Sequence, residues 1–263
     1  MIKLGPAGSP MKSTLDGISY IKEIGLNAME VEFTHGVRMQ NELAKEIGKI
    51  AEKLDISLSV HAPYYINLAS AEKQKIEASK KRILDSCERA HYLKASHVVF
   101  HAGFYGKLKE NECYGIIKEG IIKIKDIIKE NRWKTKLAPE TTGKKSQFGS
   151  LKELLMLKDE IKCGICVDFA HLHARNSSIN YPIVFDQLSG LRHIHSHFSG
   201  IEFTEKGERR HLVMQKSDFM PLAREIFKRK TDITIICESP ITWKDSLKMK
   251  SIIESLKNEK NNY

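Results

Sequence analysis

No window of this 263-residue sequence is apolar for long enough to cross a membrane, and its opening, MIKLGPAGSP, lacks the apolar core of a secretory signal. Cysteine is sparse, odd in number and widely spaced: Cys87, Cys113, Cys163, Cys166 and Cys237. That usage excludes a disulfide scaffold and suits a reducing compartment, so a soluble cytoplasmic protein without a membrane partner is expected. A single C-x-x-C occurs, Cys163 to Cys166, with no second one to complete a zinc knuckle. Residues three apart on a strand also face opposite sides, which favours a plain strand there. Linkers rich in Pro, Gly or Ser are missing, so no domain boundary is visible and residues 1–263 read as one domain. After the first strand-like segment, GPAGSP lacks G-x-G-x-x-G spacing, which removes the usual mark of a doubly wound dinucleotide fold.

What is present is an alternation of strand-like and helix-like segments from end to end. The strand candidates are IKLGP at the start, 28–33, 56–61, 97–101, 135–140, 163–168, 191–197 and 233–238. Each of the first seven is followed by a helical pattern, and a last helix is expected at about 244–256. Ser13 with Asp16 is a capping-box signature for the first helix. Ile116, Ile117, Ile121, Ile124 and Ile128 form an apolar stripe at helical spacing, which is core packing. Eight β–α units in one chain of this length predict an α/β fold, a single (β/α)₈ TIM barrel.

In such a barrel, chemistry sits at the carboxyl ends of the strands. Those ends read His61, His101, Glu140, Asp168, His197 and Glu238, from strands three to eight without a gap. His171 and His211 are expected in the loops just after strands six and seven. Chance does not readily put metal-ligand residues on six consecutive strands of a chain with eleven histidines. Within the stretch from Leu191 to His211, His193, His195 and His197 share one strand face. His193 and His195 read as hydrogen-bonded interior residues, and His197, nearest the carboxyl end, as a ligand at the rim.

Imidazole nitrogens suit zinc and its neighbours, and so many donors exceed one tetrahedral ion. Two or three ions with a bridging carboxylate are therefore expected, the arrangement that stabilises both attacking and leaving oxygens of a phosphoryl transfer. The formal net charge of +10 points the same way, toward an anionic partner, although lysines beside glutamates in AEKQKIEASKKR read as solvated helix faces. Glu30 and Glu32 share a face of strand two and either hydrogen-bond within the barrel or, for Glu32, support a ligand from behind. Tyr64 and Tyr65, after His61-Ala62-Pro63, are either packing residues or aromatic wedges against a base step.

The runs HAPYYINLAS (61–70), FHAGFY (100–105), PETTGKKSQFG (139–149), CVDFAHLHA (166–174), HFSG with GERRH (197–211) and CESP (237–240) resemble the endonuclease IV family of apurinic/apyrimidinic endonucleases. The resemblance covers nearly the whole chain, with the motifs in order on successive strands. It implies three zinc ions. His61, His101 and Glu140 would hold the first, while Glu140 would bridge to a second completed by Asp168, His197 and Glu238. His171, His211 and a carboxylate would hold the third. Tyr64 and Arg38 would be the DNA-binding residues that fill the gap beside an abasic nucleotide. Glu140, the bridging ligand, would be the indispensable catalytic residue.

The implied activity is hydrolysis of duplex DNA 5′ of abasic sites in base excision repair, by a monomer, leaving a 3′-hydroxyl and a 5′-deoxyribose phosphate. The chain departs from the family pattern twice. His197 is followed by Phe198-Ser199-Gly200 instead of Leu-Asn-Asp, and arginine, Arg209, stands where the third-site aspartate is expected. Glu208, one residue earlier, is the natural replacement ligand. Two other readings stay open. A metal-dependent sugar isomerase or epimerase on a related barrel would need only Glu140, Asp168, His197 and Glu238. A damage-binding barrel would bind abasic DNA without hydrolysing it.

Overall fold

A computed structural model describes residues 1–261. In chain order its elements are β1 (Ile2–Pro6), α1 (Thr14–Glu23), β2 (Ala28–Glu32), α2 (Asn41–Lys53), β3 (Ser57–His61), α3 (Lys73–Tyr92), β4 (His97–Phe100) and α4 (Glu110–Glu130). Then follow β5 (Lys136–Pro139), α5 (Leu151–Ile161), β6 (Cys166–Asp168), α6 (Phe169–Asn176), α7 (Tyr181–Gln187), β7 (Ile194–Phe198), β8 (Gly200–Thr204), β9 (Gly207–Leu212), α8 (Lys216–Arg229), β10 (Ile233–Cys237) and α9 (Thr242–Asn261). The parallel ladders run β1-β10-β7-β6 and β2-β3-β4-β5. Single bridges, Ala7 to Glu30 and Glu140 to Cys166, close the two ladders into one ring. The result is the expected eight-stranded α/β TIM barrel, with β8 and β9 as an antiparallel hairpin outside it. Among the described residues no helix is long and apolar enough to cross a membrane.

The helices pack as their periodicity requires. On α4, Ile117, Ile121, Ile124 and Ile128 are buried, but Ile116 is 36% exposed, so the buried stripe is narrower than the sequence suggested. Residue 116 lies about 100° around the helix from 117, which turns it off the barrel-facing side. Ser13 caps α1 by accepting from the Asp16 backbone N–H at 3.0 Å, and Ser150 with Glu153 makes a reciprocal capping box on α5.

Strand alternation sends one set of side chains to the barrel axis. Register makes Glu30 a neighbour of Ser59, Val99 of Ala138, and Cys166 of His195. All six are buried, so this layer mixes small apolar residues with a carboxylate, a hydroxyl and an imidazole. Barrel interiors are more often filled by Val, Ile and Leu. Gly5 on β1 allows a close approach of β2, because a Cβ there would come 1.8 Å from the Ala28 carbonyl oxygen.

Three local expectations need correction. The sixth strand is only Cys166–Asp168, and 163–165 stays outside the ladder. His171 is not in a loop: it is the third residue of α6, which starts directly after the N-cap Asp168. The segment holding His211 is not a loop either but β9, so a hairpin, not a helix, comes first after β7. Its two-residue turn, Glu205-Lys206, ends on Gly207 at φ +101°, a conformation that side chains disfavour. A Cβ on Gly207 would also lie 2.2 Å from the Gly143 carbonyl oxygen. That close approach lets Glu208 donate its backbone N–H to Gly143 at 3.0 Å, pinning the hairpin over the barrel mouth.

Candidate metal centre at the carboxyl end of the barrel

Glu140, one residue past β5, lies at the middle of the site and is 1% exposed. Its Oε2 is 3.2 Å from His61 Nε2 and 2.9 Å from His101 Nε2. Its Oε1 is 2.9 Å from His197 Nδ1 and 3.5 Å from His171 Nδ1. His61 ends β3, His101 follows β4, His171 follows β6 and His197 lies near the end of β7, so four sectors of the ring converge on one carboxylate. Glu238, the residue after β10, adds an oxygen 3.1 Å from His197 Nδ1. Asp168 uses one oxygen to accept the His171 backbone N–H at 2.8 Å, and its Oδ2 is buried without a hydrogen-bond partner.

The tautomers follow from the backbone. His61 Nδ1 is 2.8 Å from the Ala62 carbonyl oxygen, and His171 Nδ1 is 2.9 Å from that of Thr141. A carbonyl only accepts, so each ring donates from Nδ1 and, when neutral, carries a bare lone pair on Nε2. His61 Nε2 then faces the Glu140 carboxylate, two acceptors with nothing between them. His171 Nε2 faces His211 Nε2 at 3.2 Å and Glu208 Oε2 at 3.4 Å, while the other His211 nitrogen is engaged by Ser199 Oγ at 2.8 Å. An acceptor facing a carboxylate, as at His61, calls for a cation between them: a proton on the ring, or a metal ion on the lone pair.

Four sets of the described residues have donor atoms within 4.8 Å of one another: Cys166, His195 and His197, deeper in the barrel; His61, His101 and Glu140; Glu140, Asp168, His197 and Glu238; and Asp168, His171, His211 and Glu238. The nitrogen and carboxylate mixture, with Glu140, Asp168 and Glu238 each usable by more than one ion, fits a zinc-type cluster. Glu208 borders the last set from the hairpin, 3.6 Å from His211 Nε2. Arg209 does not: it is 68% exposed and pairs with Glu202 at 2.9 Å on the outer face of the hairpin, where Arg210 joins it.

Electrostatics without a metal show how strongly the groups depend on each other. Burial alone would raise the Glu140 carboxyl, but the imidazoles of His197 and His101 outweigh it and hold it well below the usual range. Burial would lower His61, yet its bond to Glu140 and the nearby carboxylates lift it to about 10. Burial wins at Asp168, pushed up to about 6, and at Glu32, pushed up to about 8.

The cavity above this cluster has a volume of about 330 Å³ and is lined by His61, Tyr64, His101, His171, Glu208, His211 and Glu238. Tyr64 is 61% exposed, its ring 6.2 Å from that of His61. Arg38 is exposed but is not among the lining residues. His197 is the correction among the expected donors. It is fully buried at the floor of the site instead of on the rim, because β7 continues past it to Phe198. His195 is an interior residue as expected, bonded to Glu30 at 3.2 Å, and His193 bonds Thr234 and Asp232. Sequence reasoning missed Thr34 and Thr242 on the cavity wall and left Glu32 undecided; Glu32 lines the cavity, and its Oε1 is buried without a partner. The alternation Glu30, Glu32 on β2 was the available signal.

The family described as xylose isomerase-like TIM barrel matches residues 18–259. An uncharacterized protein of Methanocaldococcus jannaschii is 34% identical, the alignment covering 94% of this chain and 95% of that protein. A probable endonuclease 4 of Mycoplasmopsis pulmonis is 35% identical over 135 residues, 49% of this chain and 47% of that protein. The fold superposes on endonuclease IV from Thermus thermophilus with a TM-score of 0.74 at 18% identity, covering 97% of this chain and 99% of that one. A D-tagatose 3-epimerase-like protein superposes with a TM-score of 0.75 at 20% identity, covering 99% and 98%.

Proposed function

Because the chain belongs to the xylose isomerase-like TIM barrel family, we propose that it acts within that family as a zinc-dependent endonuclease, cutting DNA 5′ of abasic sites as a single-domain monomer. The observation that carries this reading is the convergence of two imidazoles, His171 and His211, whose Nε2 atoms lie 3.2 Å apart beside Glu208. They form a third donor group outside the Glu140, Asp168, His197 and Glu238 set, and sugar isomerisation has no use for it.

His61, His101 and Glu140 would hold one ion, and Glu140, Asp168, His197 and Glu238 a second. His171 and His211, with Glu208 and the shared Asp168 and Glu238, would hold a third. Zinc bound there would supply Lewis-acid polarisation of phosphoryl oxygens and a lowered pKa for water. The chain's own part is to position. Glu140 holds the first two donor groups in register through both its oxygens. Ser199 fixes the His211 ring from behind, and the Gly143–Glu208 backbone bond holds the hairpin so that Glu208 reaches the site. Tyr64 offers an exposed ring at the cavity mouth for stacking in the gap left by an abasic nucleotide, and exposed Arg38 enters from the neighbouring loop.

The relatives called probable endonuclease 4 support this reading over about half the chain. One observation favours epimerisation or isomerisation of a sugar instead: the unpartnered Glu32 carboxyl faces the cavity, where it suits a polyol better than a phosphodiester. Nicking of a duplex oligonucleotide carrying one abasic-site analogue, with zinc counted in parallel, separates the two readings. A single cut 5′ of the lesion, lost on chelation, with about three zinc ions per chain, is the expected result. Metal stoichiometry near one, with turnover of a ketose and no nicking, would overturn it. Tyr64→Ala should weaken abasic-duplex binding roughly 5- to 150-fold, the equivalent of about 1–3 kcal/mol for one base–aromatic stack.

A further inference from the structure

Beneath the metal-ligand residues lies a carboxylate that the reaction does not use. Glu30, on β2, is fully buried, one residue pair below the mouth of the barrel. Its Oε2 is 3.2 Å from His195 Nε2, and its Oε1 is 2.9 Å from His197 Nε2. The His197 contact is at ion-pair distance, and neither Glu30 Oε1 nor His197 Nε2 has a hydrogen-bond partner. Two orphaned polar atoms at this separation, in a site closed to solvent, are each other's available partners. The opposite nitrogen of the same ring, Nδ1, faces Glu140 and Glu238.

We propose that Glu30 is the positioning carboxylate of the group formed by Glu140, Asp168, His197 and Glu238: it accepts a hydrogen bond from the His197 Nε2–H and so leaves the Nδ1 lone pair for a metal ion. Three features of the fold point to this role. A fully buried carboxylate is costly unless both oxygens are engaged, and the two imidazoles of β7 are the partners that engage them. His195 clamps Oε2 from the layer below, and the ring of His97 stacks on His195 at 4.9 Å, so Glu30 cannot swing away toward solvent. The 0% exposure of His197 leaves its tautomer to be decided by protein groups alone. A carboxylate behind a metal-bound imidazole fixes the tautomer, aims the ring and raises its basicity, and removing such a partner typically costs about 10- to 100-fold in metal affinity.

The inference rests on the reading that this cluster holds metal ions, and cobalt(II) tests the two separately. Apoprotein would be titrated with Co²⁺, following the visible ligand-field absorption and the number of ions bound, for the wild-type chain, Glu30→Gln and Glu30→Leu. One class of site should weaken roughly 10- to 100-fold in Glu30→Gln and further in Glu30→Leu, with an altered absorption envelope, while the remaining ions bind as in the wild type. A folded Glu30→Gln chain with wild-type affinity and spectrum would overturn the inference and leave the metal reading intact. A wild-type chain that takes up no cobalt would overturn both. Should both Glu30 variants fail to fold, His195→Gln keeps the carboxylate and releases its clamp. A smaller loss at the same site then supports the role, and unchanged binding overturns it.

Discussion

Replacing Glu140 by glutamine keeps the shape of the side chain and removes the charge on which four imidazoles converge. In the metal-free protein its carboxylate stands 2.9 Å from His101 and from His197, 3.2 Å from His61 and 3.5 Å from His171, all at a residue 1% exposed. Breaking a buried ion pair by neutralising one member costs roughly 3–5 kcal/mol. For a chain of this size each kcal/mol moves the melting midpoint by about 2–4 °C, so a drop of roughly 6–20 °C is expected. The penalty should also depend on pH. The His61 pKa stands raised from 6.5 to about 10, against the opposing effect of burial, chiefly by its hydrogen bond to Glu140. A raised pKa means that the stabilisation is complete below the unfolded value and is lost as pH climbs through about 10. Thermal unfolding of wild-type and Glu140→Gln chains in chelator, stepped from about pH 6 to pH 10, reads this directly. The two melting curves should approach each other as the pH rises. A penalty of the same size at both ends of that range would refute the idea that cationic rings compensate Glu140 in the metal-free state, and with it the electrostatic account of the site.

The hairpin makes a second, sharper distinction: Glu208→Gln should lower zinc content by about one ion per chain, since its carboxylate lies 3.4 Å from His171 Nε2. Arg209→Asp should leave zinc content unchanged, because that side chain pairs with Glu202 on the far face; restored or increased zinc would show that the hairpin register differs from that described. His97 and His195 titrate in the opposite sense to His61: burial holds both below the ordinary imidazole value. A depressed pKa means stability that is present above the unfolded value of 6.5 and falls with pH below it, so metal-free protein should lose stability between about pH 6.5 and pH 5. His97→Gln should flatten that loss by up to about 1.4 kcal/mol per pH unit, less because the ring is partly exposed, and an unchanged slope in urea melts would exclude His97 as a contributor. Gly5→Ala should destabilise the barrel by roughly 1–3 kcal/mol or prevent folding, since the new methyl meets the Ala28 carbonyl at 1.8 Å; a wild-type melting midpoint would mean β1 and β2 are less closely joined than described.

The barrel was legible because its signals are local. Period-two strands that end on ligand-type residues, and helices with a 3.6-residue stripe, do not need tertiary knowledge to be seen. The hairpin was not, because Gly200–Leu212 carries polar residues on both faces: Glu202, Arg209 and Arg210 outside, and Glu208 and His211 toward the site. A strand whose inner face holds ligands instead of core residues loses its apolar alternation, so it reads as a loop. A bulge between Glu202 and Phe203 breaks the remaining regularity, and it lets residues three apart, Glu208 and His211, turn to the same side. His171 escaped for a different reason. Asp168 serves both as strand end and as helix cap, leaving no loop between them. Depth along a strand was the third blind spot: sequence places His197 and Glu30 on axis-facing positions but says nothing of which is covered by the next layer.

The hairpin also ties metal content to substrate class. Glu140, Asp168, Glu208 and Glu238 bring four carboxylates to the site, and buried Glu30, held well below the usual carboxylate range against burial by His197 and His195, adds a fifth negative charge behind His197. Two divalent ions with neutral imidazoles would leave those five charges one short of neutral, an environment that tolerates a neutral polyol and gives an anionic phosphodiester no net attraction. A third ion would turn this into a surplus of one positive charge at the point where charge develops in phosphoryl transfer. On the proposed reading, His171, His211 and Glu208, which would hold the third position, would decide between phosphodiester cleavage and sugar chemistry at this site. Glu208→Gln removes one negative charge along with the ion, so the site would return to neutrality and should bind abasic DNA more weakly while losing most of its cutting rate. If it instead cuts at the wild-type rate with one ion fewer, two ions suffice and this charge argument for the third fails.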